Sequence, residues 1–296
     1  MSPELTRARD LLSHLVSKPD ATMDDYRALY DEVLANFVPP ADAAIENVDA
    51  NGVPCIWVAA PGSDPGLVTV YVHGGGWTMG NAHGYRELAY RISQASGGRV
   101  LVVDYRLAPE NPFPAPLDDV LTAYRWARAL DGVRQVALAG DSAGGGLATG
   151  AAVALREAAD PAPAGVVAIS PLVDLAGEGA SMTERAHLDP LPAAALVGAM
   201  GAAFLAGLEP KETPLASPLY ADLASLPPFL VLVGTDEGLH DDAVRLVEKI
   251  QSAGGQADLE IGESMVHIWP VFNFLPEADS ALERIGTFLA KQFSAS

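Results

Sequence analysis

A short apolar strand running into a glycine-flanked serine constrains this chain more than any other stretch. Residues 135–147 read Gln-Val-Ala-Leu-Ala-Gly-Asp-Ser-Ala-Gly-Gly-Gly-Leu, and an Ala-rich helical pattern follows. Gly140-Asp141-Ser142-Ala143-Gly144 fits the G-x-S-x-G strand-to-helix turn, which holds a strained serine with its hydroxyl exposed at the end of a strand. A side chain at either glycine would clash with so tight a turn. The helix that begins behind Ser142 turns its free N–H groups and positive dipole end toward any negative charge forming there.

The pattern on either side of this turn is one of alternating strands and helices. Residues 4–16 and 23–37 read as amphipathic helices; in the second, Tyr26, Leu29, Tyr30, Val33 and Phe37 recur at helical spacing and Pro39-Pro40 stops it. Ile45–Val48 and Val53–Val58 flank Asn51-Gly52 and predict an antiparallel hairpin. Leu67–Val72, Val100–Val103, Val136–Ala139, Val166–Ile169 and Phe229–Val233 are near-continuous apolar runs, as expected of strands covered on both faces. Ala257–Ile261 completes eight strands. Helices are expected over 84–96, 117–129, 143–158, 241–253 and 277–292. The fold class is therefore α/β, a mostly parallel eight-stranded sheet with helices on both faces. The N-terminal helices and an excursion over 174–224 lie outside this alternation. They predict a helical cap, from about 1–43 and 174–224, on a single domain spanning 1–296.

The 296 residues are 49% hydrophobic and 19% charged, enough apolar matter for one large core. A formal net charge of -20 disfavours nucleic acid and anionic membranes as partners, since both call for basic patches. Cys55 is the single cysteine, so no intrachain disulfide forms. Residues 1–7 lack the basic-then-apolar pattern of a signal peptide, and the expected location is cytoplasmic. Leu191–Leu208 carries no charge and has the length of a membrane span. It is rich in Ala and Gly, contains Pro192 and sits between two strands of one sheet, so it reads as a buried or cap helix. Its small side chains also suit packing against a second subunit, and a homodimer is among the expectations.

A nucleophilic serine needs a base, an acid to orient that base, and N–H donors for the oxyanion. Open α/β sheets place such groups beyond the C-terminal ends of their strands. Of six histidines, His267 alone follows the last strand on a loop before the last helix, the position for the final member of a Ser…Asp…His order. The loop after Phe229–Val233 offers Asp236, Glu237, Asp241 and Asp242. Asp236, nearest the strand, is the first choice and Glu237 the second; Asp241 and Asp242 suit a helix start. His73-Gly74-Gly75-Gly76-Trp77 directly follows a buried strand, and its glycines let the backbone N–H groups turn inward. This glycine run and Ala143, the residue after the serine, are the expected source of the oxyanion donors. Trp77 and Trp269 are expected to flank the substrate pocket. There is no H-E-x-x-H, no Cys/His array and no dinucleotide fingerprint, so neither metal nor cofactor is expected.

His73–Trp77, Asp104-Tyr105-Arg106-Leu107-Ala108-Pro109-Glu110, Gly140–Gly144 and Ser217-Pro218-Leu219-Tyr220-Ala221-Asp222 occur together in this chain. In that combination, nearly its whole length resembles the bacterial hormone-sensitive-lipase family of esterases, in the branch marked by Gly-Asp-Ser-Ala-Gly. The resemblance implies an α/β-hydrolase fold, a triad of Ser142, Asp236 and His267, and an oxyanion hole from Gly74, Gly75 and Ala143. It also implies a bracing network of Tyr105, Arg106 and Glu110 beside the glycine loop. Small-molecule esters with short acyl chains are the implied substrates, with lactones as an alternative. A different class of function on the same scaffold is a ligand-binding receptor that has lost the histidine; His267 argues against it. The chain departs from the family's frequent Asp-Pro-Leu at Asp236-Glu237-Gly238-Leu239, and from His-x-Phe at His267-Ile268-Trp269.

Overall fold

The computed structural model describes residues 1–18 and 20–295. Its centre is one eight-stranded sheet: β1 (Ala44–Asp49), β2 (Pro54–Ala59), β3 (Asp64–Val72), β4 (Gly98–Val103), β5 (Gln135–Asp141), β6 (Val166–Ile169), β7 (Phe229–Gly234) and β8 (Ala257–Gly262). The spatial order is β1-β2-β4-β3-β5-β6-β7-β8. β1 and β2 form the antiparallel hairpin, and β2 pairs antiparallel with β4. From β4 to β8 every pairing is parallel. Such parallel pairs need crossover connections, and helices supply them.

The helices are α1 (Pro3–His14), α2 (Met23–Leu34), α3 (Arg86–Ser96), α4 (Ala115–Arg128), α5 (Ala143–Glu157), α6 (Ser181–Glu184), α7 (Ala193–Leu205), α8 (His240–Ser252) and α9 (Pro276–Ser294). The period-2 rule explains how one apolar strand serves two cores. Val68, Val70 and Val72 of β3 face one side, with Leu121 of α4, Leu147 of α5 and Leu246 of α8. Tyr71 faces the other, with Leu88 of α3 and Ile285 of α9. Both faces are dry, which is why these strands read as unbroken apolar runs. Complete burial of a side chain such as Leu138 or Leu246 stabilises the fold by about 1.5–3 kcal/mol each.

The two N-terminal helices begin on side-chain caps. Ser2 accepts from the N–H of Leu5 at 3.1 Å, and Thr22 and Asp25 form a reciprocal capping box. Each cap contributes on the order of 1 kcal/mol. α1 and α2 pack Leu5, Leu12, Tyr30, Val33 and Leu34 into the core on the α3/α9 face. α7 straddles both cores, with Val197, Phe204 and Leu205 in one and Met200 in the other. Among the described residues no helix is long and apolar enough to cross a membrane.

Candidate active site

β5 ends at Asp141 and α5 begins at Ala143, leaving Ser142 alone between strand and helix. Its φ of 53° and ψ of -123° lie outside the regions comfortable for a side-chain-bearing residue. The flanking glycines allow this by close approach. A Cβ at Gly140 would collide with the carbonyls of Gly144 and Val72, and one at Gly144 with those of Val72 and His73.

Two loops from neighbouring strands converge on the serine. His267 follows β8 and places Nε2 3.0 Å from Ser142 Oγ. Its Nδ1 lies 2.8 Å from Glu237 Oε2, on the loop after β7. Glu237 is fully buried. Its other oxygen, Oε1, accepts from Ser170 Oγ at 2.8 Å and from the N–H of Gly234. Ser170 in turn accepts from the N–H of Ile268 at 3.0 Å. The carboxylate is thus anchored to β7 and to the segments after β6 and β8. With Nδ1–H donating to Glu237, Nε2 is left as the acceptor facing Ser142. Burial works against protonation of His267, but the hydrogen bond and charge of Glu237, with the charges of Asp189 and Asp141, outweigh it and lift its pKa above the ordinary histidine value.

The expected orienting acid, Asp236, is elsewhere. Its carboxylate pairs with Arg9 of α1 at 3.3 Å, and Arg9 also donates to the carbonyl of Leu188. Successive side chains in this turn point in different directions, and the longer glutamate is the one facing inward. Sequence order favoured the residue nearer the strand; the turn after Gly234 decides otherwise. Asp241 and Asp242 also depart from a simple helix-start role. Asp242 is fully buried and accepts from the N–H groups of Val173 and Asp174 at 3.0 and 2.9 Å. Burial pushes its pKa up to about 7. Asp241 accepts from the N–H of Ser181 at 3.0 Å. Both tie the excursion after β6 to α8.

The glycine loop needs a second correction. The N–H of Gly74 is committed to Asp141 Oδ1 at 3.0 Å and to Tyr85 Oη at 3.2 Å, so it cannot serve an oxyanion. Gly75 and Gly76 line the pocket beside Ser142. Among the described residues, the N–H groups of Gly75, Gly76 and Ala143 have no hydrogen-bond partner. Three adjacent glycines look alike in sequence, and nothing in the string shows which N–H is already spent.

Asp141 fixes the first glycine from directly before the serine. Besides Gly74, it accepts from Tyr71 Oη at 2.8 Å and Tyr85 Oη at 2.9 Å. Burial raises its pKa to about 6, opposed by these donors. Tyr30 of α2 reaches Tyr85 with a 2.6 Å contact between hydroxyls. His73 donates from Nδ1 to the carbonyl of Gly74 at 2.8 Å, stacks on Tyr105 with ring centroids 4.2 Å apart, and is pushed down to about 4 by burial. It is a neutral brace. Tyr105 donates to the carbonyl of His73 at 2.9 Å. Arg106 and Glu110 do not join it: Arg106 chelates Asp119 of α4, and Glu110 pairs with Arg27 of α2.

The cavity above Ser142 measures about 90 Å³. Its walls come from α1 (Leu12), α2 (Tyr26, Tyr30), the glycine loop and α7 (Ala193, Leu196, Met200), with Asp189 as the one carboxylate among the described residues that line it. The tryptophans expected beside it are not part of the wall. Trp77 is buried and stacks on Phe204 of α7 at 4.3 Å, and Trp269 is buried in the core on the α3/α9 face. Each indole is too large and apolar to stay at a pocket rim when a dry core lies behind it.

A family model described as alpha/beta hydrolase fold matches residues 69–271. An acetyl-hydrolase of Streptomyces hygroscopicus is 39% identical over 97% of this chain and 96% of its own length. The esterase LipU of Mycobacterium tuberculosis is 35% identical over 84% of each chain. A crystal structure of an esterase from the bacterial hormone-sensitive lipase family is 45% identical and superimposes with a TM-score of 0.94 over 99% of both chains. The esterase EstE5, in crystals soaked with p-nitrophenyl butyrate, is 37% identical with a TM-score of 0.93 over the full length of both.

Proposed function

Since the chain belongs to the bacterial hormone-sensitive-lipase family of α/β-hydrolases and is a carboxylic-ester hydrolase, we propose that it hydrolyses short-chain acyl esters through an acyl-enzyme on Ser142. His267 is the base and Glu237 the acid that orients it. The observation that carries this reading is the unbroken relay of 3.0 Å from Ser142 to His267 and 2.8 Å from His267 to Glu237.

In the first half-reaction His267 Nε2 takes the Ser142 proton as Oγ attacks the ester carbonyl. The N–H groups of Gly75, Gly76 and Ala143 receive the oxyanion, and the start of α5 adds its dipole. The imidazolium gives its proton to the departing alcohol. Water then attacks the acyl carbonyl as His267 takes its proton, and the imidazolium returns that proton to Ser142 Oγ as the acid departs. Glu237, held by three donors, stabilises the imidazolium without being protonated itself.

The cavity supports the short-chain preference. At about 90 Å³, with a chiefly apolar lining, it offers little room for a long acyl chain. α1, α2 and α7 act as the cap over it. EstE5 has been soaked with p-nitrophenyl butyrate, and that ester is the natural first substrate here. Ser142→Ala keeps the fold and lowers kcat for p-nitrophenyl butyrate by about 10⁶. Turnover within tenfold of wild type would remove Ser142 as the nucleophile.

A further inference from the structure

We propose that Asp189 is a specificity-determining residue that makes the pocket reject acyl chains carrying a negative charge. The inference rests on the assignment of Ser142 and His267 to the reaction and adds which esters they receive.

Asp189 sits two residues before Leu191, in the excursion between β6 and β7, and contributes to the wall of the cavity that holds Ser142 and His267. Two backbone donors fix it: Oδ2 accepts from the N–H of Gly238 at 2.7 Å, and Oδ1 from the N–H of Leu191 at 2.9 Å. Gly238 directly follows Glu237, so the carboxylate is tied to the loop of the orienting acid. Burial raises its pKa above the ordinary carboxylate value, and the two amide donors oppose that shift. Among the described residues no Lys or Arg forms an ion pair with it, and the cation that feels its charge is His267 when protonated. Arg9 pairs with Asp236 and the carbonyl of Leu188, and Arg185 donates to the carbonyl of Thr235. No Lys or Arg is among the described residues that line the cavity.

The rest of the wall is chiefly aliphatic, with Leu12, Leu15, Val16, Leu196 and Met200 among its members. Apolar walls lower the local dielectric, so one fixed carboxylate reaches further than it would in water. An acyl group ending in a carboxylate meets like charge on entry, whereas a neutral chain of the same shape does not. An ammonium at the same place meets an opposite charge.

The test compares three ethyl esters by titration of the acid released: ethyl 4-methylpentanoate, its near-isosteric anion monoethyl succinate, and the cation ethyl 4-aminobutyrate. In the wild-type enzyme kcat/KM for the cation exceeds that for the anion by at least about tenfold. Asp189→Asn raises the anion-to-neutral ratio of kcat/KM by about 10- to 30-fold, whatever it does to the rate for the neutral ester itself. Equal wild-type rates for cation and anion overturn the proposal without recourse to a variant. So does a variant in which all three rates fall together, since Asp189 is then only a tie between loops. Failure of the Ser142 assignment reads differently, because Ser142→Ala would then still hydrolyse the neutral ester.

Discussion

The strand ends and the helices above them are built on opposite terms. At the strand ends the polar groups are buried and closely matched: Glu237 has three partners besides its neighbours in the chain, and Asp141 has Tyr71, Tyr85 and Gly74. Above them, α1, α2 and α7 meet the cavity chiefly with apolar side chains and are fastened by a few contacts, only some of them buried. Arg9–Asp236, Arg27–Glu110 and the Tyr30–Tyr85 hydroxyl pair are the main ones. Geometry at the strand ends is over-determined, as reaction chemistry demands of atoms that must meet within a few tenths of an ångström. Over the cavity, shape matters more than direction, and few specific bonds are needed.

If that contrast is right, equal chemical changes in the two regions have unequal consequences. Asp141→Asn replaces an acceptor for three donors by an amide with one acceptor oxygen. An unsatisfied buried donor costs about 1–3 kcal/mol, so kcat for p-nitrophenyl butyrate falls roughly 10- to 100-fold as Gly74 loses its anchor and Gly75 and Gly76 drift, with KM little changed. A parallel loss in KM, or none in kcat, would show that Asp141 serves packing alone. The corresponding change over the cavity, Arg9→Ala, removes a partly exposed ion pair worth about 0–1 kcal/mol. Thermal unfolding should shift by no more than a few degrees and kcat by less than threefold. A loss as large as that of Asp141→Asn would erase the distinction between the two regions.

The sheet was legible in the sequence because burial on both faces leaves a clear trace: near-continuous apolar runs at 67–72, 100–103 and 166–169. Ser142 and His267 were legible for a related reason, since each stands where a strand must end. Asp236 and Glu237 are adjacent, and one residue of turn geometry decides which faces the histidine. Gly74, Gly75 and Gly76 differ only in which N–H another side chain occupies, here Asp141 and Tyr85. Trp77 misled because an aromatic beside a reactive loop resembles a pocket wall until Phe204 is known to stack on it. Tertiary neighbours settle each of these three choices, and those neighbours lie far away in the chain.

The most direct measurement is the pH dependence of kcat/KM for p-nitrophenyl butyrate in Glu237→Gln beside Asp236→Asn. In the proposed mechanism His267 must be neutral to take the serine proton, so activity should rise with pH through its pKa, which Glu237 holds above the ordinary histidine value. Removing that charge lowers the midpoint, and the wrong tautomer or a mobile ring lowers the plateau by about 10²–10⁴. Asp236→Asn should leave midpoint and plateau close to wild type. The reverse pattern, a crippled Asp236→Asn and a near-normal Glu237→Gln, would contradict the relay from Ser142 through His267 to Glu237.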